Sequence, residues 1–101
     1  MGTNNKDNKS NLDYQFNRII GETLKERRLK KGYSLEDVCR KMKYRTTRQT
    51  INKVERNLSR VKLQMFLSIC EALGENPAEV WEVISLKYLK YVELNKDNLQ
   101  L

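Results

Sequence analysis

Histidine is absent from this chain of 101 residues, proline occurs once, cysteine twice and glycine four times. Without an imidazole there is neither the commonest metal ligand nor a Cys-His nucleophile. Cys39 and Cys70 are not paired at ligand spacing either, and no acidic cluster takes their place. Both fall on apolar stripes of predicted helices, where a thiol behaves as a small hydrophobe. There is no glycine-rich loop to cradle phosphate and no carboxylate pair at a predicted cleft. The expectation is a protein with no metal, no cofactor and no enzymatic activity. No apolar run approaches the roughly 20 residues that span a bilayer, and the N-terminus lacks the apolar core of a signal peptide. A soluble, cytoplasmic protein with no membrane segment is expected.

What the chain has instead is positive charge. Twenty Lys and Arg against 13 Asp and Glu leave a net charge of +7, a balance that favours a polyanionic partner. The charge is not spread evenly. Between Lys25 and Lys62 there are fourteen basic residues against four acidic ones, while residues 1–24 sum to zero and residues 63–101 to −3.

That basic segment contains Ser34 to Asn57, which reads as two short helices joined by a tight connection. Ser34 followed by Asp37 is a close variant of the capping box. Leu35, Val38, Cys39 and Met42 then recur at i, i+3, i+4 and i+7, one stripe for a core. Thr46 or Thr47 can cap the second helix, whose inward positions are Ile51 and Val54. Its other face carries Arg48, Gln49, Asn52, Lys53 and Arg56. These side chains can meet phosphates and make paired hydrogen bonds to base edges in a major groove. Two helices with such an outward face suggest a helix-turn-helix that binds double-stranded DNA.

The length allows one domain of four or five helices. Residues 1–13 are rich in Asn and Lys and are expected to be a disordered tail. A helix follows from about Tyr14 to Lys31, with Phe16, Ile19, Ile20, Leu24, Arg27 or Arg28, and Leu29 as its core stripe and Gly32 as its left-handed cap. Arg28 lies at the edge of the stripe and needs a carboxylate if it is partly buried; Glu55 is the candidate. The next helix runs from about Lys62 to Leu73 and is closed by Gly74. The last has Asn76 as N-cap and Pro77 at its first position. Val80, Trp81, Ile84 and Tyr88 form its inward stripe, and Val83, Leu86, Leu89, Tyr91 and Val92 add apolar surface around the rest. That surplus is expected to bury against another subunit, the alternative being that the C-terminal segment folds back over its own domain. The expected layout is thus a disordered tail over 1–13, a helix-turn-helix domain over 14–75, a dimerisation helix over 76–94 and a flexible tail over 95–101.

The runs LKERRLKKGYSLEDVCRKM, TRQTINKVERN and FLSICEALGENPAEVW, taken in this order, resemble the lambda-repressor-like, Cro/cI-type helix-turn-helix domain of the XRE family, from about Ile19 to Trp81. The resemblance implies an all-α, five-helix fold, here with an extended C-terminal helix. It implies an ion pair between the family's helix-one Arg, at Arg28, and the Glu that ends the recognition helix, at Glu55. It also implies that Arg48 and Gln49, with Asn52 and Lys53 one turn on, face the major groove, while Thr47, Arg56 and Arg45 lie near phosphates. Three positions depart from the family pattern. The turn over residues 43–46 is two residues longer than is common and lacks its usual Gly. Leu35 replaces a phosphate-contacting Gln, and Asn57 replaces a Gly that follows the Glu after one residue.

These readings converge on an all-α regulator of transcription, bacterial or phage-encoded, that binds a palindromic operator as a homodimer and represses by occlusion. The rival expectation is an antitoxin or phage-type regulator whose C-terminal helix docks a different protein partner.

Overall fold

The computed structural model describes residues 12–98, and the expected N-terminal tail lies outside them except for Leu12 and Asp13. Those two residues are already helical. The chain forms α1 (Leu12–Lys30), α2 (Leu35–Lys41), α3 (Arg48–Glu55), α4 (Leu63–Ala72) and α5 (Pro77–Leu94), followed by a short 3-10 turn, Lys96–Asn98. This turn occupies part of the stretch expected to be a flexible tail; residues 99–101 are outside the described set. Among the described residues there is no strand.

Local chemistry sets most boundaries. At α2 both halves of the capping box form: Asp37 N donates to Ser34 Oγ at 3.0 Å and Ser34 N to Asp37 Oδ2 at 2.8 Å. The backbone hydrogen bond from Ser34 holds the Asp37 carboxyl below its ordinary 3.8. Of the two candidate caps for α3, Thr47 is used, accepting from Thr50 N at 3.2 Å. At α5, Asn76 Oδ1 accepts from Ala78 N at 2.8 Å and Pro77 opens the helix.

α1, α3 and α4 close alike. Gly32, Asn57 and Gly74 take the left-handed conformation, at φ 76, 60 and 70°. In each case the N–H of the next residue returns to the carbonyl five residues earlier: Tyr33 to Arg28, Leu58 to Lys53 and Glu75 to Cys70. This is the Schellman arrangement, which occupies carbonyls a helix end would otherwise leave bare. Reversing direction at once lets all five helices share one core.

That core is Ile19, Ile20 and Leu24 of α1, Val38 and Met42 from α2 and its cap, Ile51 and Val54 of α3, Phe66, Ile69, Cys70, Ala72 and Leu73 around α4, and Val80 and Ile84 of α5. Leu29 is not among them. At about 100° per residue it sits roughly 140° from Leu24, and it is 56% exposed. The inward place belongs to Arg28, about 40° from Leu24 by the same count. Trp81 covers the edge of the core, edge-on to Phe16 at 5.6 Å and to Phe66 at 5.8 Å between ring centres. Lys87 fastens α5 to α1 by donating to Thr23 Oγ1 at 3.1 Å and to Glu26 at 2.7 Å.

Candidate nucleic-acid interface

α3 is anchored by Ile51 and Val54, which are buried, and this decides where its polar side chains go. Gln49, Lys53 and Arg56 stand roughly 140 to 160° around the helix from Ile51 and are exposed. Arg48 is exposed at the N-terminal end, while Asn52 lies to one side and is half-buried. Thr47, the N-cap, and Arg45, in the turn before it, are also exposed. The fold therefore leaves six of the seven expected DNA-contacting residues open to solvent and tucks Asn52 partly in.

The other flank of α3 holds residues that the sequence reading passed over. Tyr44, Thr50, Arg60, Lys62, Gln64 and Met65 help line a groove of about 520 Å³ between α3 and the start of α4. α4 begins without a side-chain cap at Lys62, so its first amides stay open to another acceptor. The only sequence signal for this flank was the alternation in Arg60, Val61, Lys62, Leu63 and Gln64, where basic and amide residues turn one way and apolar ones the other.

Inside the domain, Arg28 and Glu55 meet through two parallel hydrogen bonds, Nε to Oε2 at 2.7 Å and Nη2 to Oε1 at 3.0 Å. A third bond runs from Arg28 Nη1 to Tyr33 O at 2.7 Å. One guanidinium thereby ties α1 to the last residue of α3 and to the entry of α2, which is how a buried charge is made tolerable. Arg27, its neighbour, points to the flank and pairs with Glu75 at 3.1 Å. Glycine also matters at one place here. A Cβ on Gly21 would come within 2.3 Å of Val54 O and 3.1 Å of Glu55 O, so α1 and α3 touch backbone to backbone.

The five apolar residues expected at a subunit interface are not on one face. Leu86 and Leu89 both point outward, each 60% exposed. Val83 and Val92 are half-buried on opposite flanks. Tyr91 turns to its own domain: it packs against the core, and the Arg18 guanidinium lies 5.8 Å from its ring centre. The reason is angular, since Tyr91 lies only about 20° from Ile84 around the helix.

Among the described residues, no group of three or more His, Cys, Asp or Glu is placed to hold a metal ion. No described helix is long and apolar enough to cross a membrane.

A family model described as helix-turn-helix matches residues 24–80, more than half of the chain. The chain belongs to this family, the XRE or Cro/cI-like helix-turn-helix proteins. It is accordingly a double-stranded DNA-binding regulator of transcription, in a family whose domain is regulatory rather than enzymatic. The match begins within α1 and stops at the first turn of α5, leaving Leu86 and Leu89 beyond it. No curated protein and no solved structure gives a significant match.

Proposed function

We propose that this protein binds an operator as a homodimer, inserting the helix from Thr47 to Arg56 into the major groove, and that it represses by occluding the promoter in a bacterial or phage setting. Arg48, Gln49, Asn52 and Lys53 face base edges; Arg45, Thr47 and Arg56 meet phosphates. The observation that carries this reading is the exposure of Gln49, Lys53 and Arg56 on the side of α3 opposite its buried Ile51 and Val54. Arginine to guanine or glutamine to adenine would each contribute about 1 to 3 kcal/mol of discrimination. The phosphate-facing residues would add salt-sensitive affinity blind to sequence. Paired recognition helices would stand ~34 to 36 Å apart and demand a two-fold symmetric site.

Selection from random-sequence duplex DNA at about 0.15 M salt tests it, because sequence-blind binding weakens there. A symmetric motif that is lost when Arg48 and Gln49 are both replaced by Ala is the expected result. Binding that only fades as salt rises, with no motif enriched, would refute it. A second reading draws on Leu86 and Leu89: the outward face of α5 docks a different protein, as in an antitoxin. A protein that remains monomeric at micromolar concentration would favour that reading over the homodimer.

A further inference from the structure

Recognition helix α3 is held unequally at its two ends. Before it, residues 43–47 donate no backbone hydrogen bond to another backbone group among the described residues. Its cap is local: the Thr47 side chain bonds to Thr50 and its carbonyl accepts from Ile51 N at 3.3 Å, both within the same helix. The backbone of the lengthened turn therefore does little to aim the helix, and the ion pair from Lys43 to Glu71 of α4, 3.1 Å long, is exposed at both ends and adds little. Its C-terminal end is fastened to α1 through Glu55 on Arg28, through the backbone approach at Gly21, and through a third connection that neither the core nor the ion pair needs.

That third connection is Asn57. It occupies the left-handed position at which α1 and α4 use glycine, Gly32 and Gly74. Glycine is the less strained choice there, so the asparagine contributes something besides a turn. Its side chain does so: Asn17 Nδ2 donates to Asn57 Oδ1 and, at 3.2 Å, to Ser59 O, while Asn57 Nδ2 reaches Tyr14 O at 3.4 Å. These residues, with Asp13, Leu58 and Arg60, surround a cleft of about 190 Å³. Two amides thus stitch the first turns of α1 to the chain leaving α3.

We infer that Asn17 is a positioning residue for DNA recognition: through Asn57 it sets the direction of α3 and hence the sequence preference of Arg48 and Gln49 about one helix length away. The inference rests on the reading that α3 enters the major groove. Eight residues of helix span about 12 Å, so a swing of roughly 5° about the anchored end displaces the reading end by about 1 Å. A displacement of that size spoils paired hydrogen bonds, whose lengths are set to within a few tenths of an ångström.

The test separates aim from stability. Asn57→Gly keeps the left-handed turn and removes the amide; Asn17→Ala removes its partner. For each variant, melting temperature is measured together with affinity for the duplex selected by the wild type and for an unrelated duplex across a salt series. Asn57→Gly is expected to melt no lower than the wild type, yet its ratio of specific to nonspecific affinity falls about tenfold, the scale of one or two net hydrogen bonds. The salt slope stays the same because no cation is lost. Asn17→Ala loses a similar factor, and the double variant loses little more because the two residues act as one unit. If the wild type prefers its site and both variants keep the full ratio, the inference is overturned while the reading of α3 survives. A wild type with no sequence preference removes that reading, and the inference with it.

Discussion

Arg28 and Glu55 join the second half of α1 to the end of α3 through a doubly hydrogen-bonded, buried ion pair, their side chains 10% and 3% exposed. Removing one partner leaves the other charged and without its counter-ion in the core, which costs about 3 to 5 kcal/mol. Glu55→Gln and Arg28→Met are each expected to lower the urea midpoint sharply. Combining Arg28→Met with Glu55→Gln should cost much less than the sum of the single changes, since no charge is then stranded. A remainder persists because Tyr33 O loses its donor. Additive losses in the urea series would show that the pair acts as two independent contacts.

Gly21→Ala would ordinarily help a helix by about 1 kcal/mol. Here the new methyl meets Val54 O at 2.3 Å, and α1 must move away from α3. A net destabilisation of about 1 to 3 kcal/mol follows from overpacking of this kind. Thermal unfolding measures it. A variant as stable as the wild type would mean that the two helices separate freely.

Cys70 is fully buried, and burial pushes its thiol from the ordinary 9.0 up to about 11. Between those values the folded protein keeps a proton that the unfolded chain has released, so this residue's contribution to stability is intact below about pH 9 and declines as pH rises toward 11. Comparing wild type with Cys70→Ala over that range isolates the contribution from lysines and tyrosines. A difference between them that does not vary with pH would argue against it. Thiol reagents at pH 8 should modify the half-buried Cys39 first and reach Cys70 only on unfolding.

The outward pair Leu86 and Leu89 gives the proposed homodimer its test. Changing both to Lys alters a surface, so monomer stability should move by no more than about 0.5 kcal/mol. Sedimentation should show a monomer, and affinity for a two-fold site should collapse to that for a half-site. Dimers that persist unchanged would place the subunit contact elsewhere on the domain.

Much of the fold was legible because its signals are local. Ser34 with Asp37, Asn76 with Pro77, and Gly32 and Gly74 each act on amides or carbonyls within a few residues, so chain order alone reveals them. The same holds for the division of α3 into inward Ile51 and Val54 and an outward basic face. Leu29 was misplaced because position in a stripe does not tell which edge of a 19-residue helix meets its neighbours. Tyr91 was placed on an outer face for a related reason: apolar character reveals that a residue seeks cover, not which surface supplies it. The pairing of Asn17 with Asn57 spans 40 residues and leaves no trace in either neighbourhood.

The sequence by itself determined where helices start and stop, which residues seek the core, and where positive charge gathers, since propensity, capping and periodicity act over a turn or two. The partnership of Arg28 with Glu55 was legible in the chain, but tertiary structure alone decided what else holds α3: a glycine that admits its backbone and an asparagine pair at its exit. Those contacts depend on distances between segments far apart in the chain, set only when every helix has packed at once.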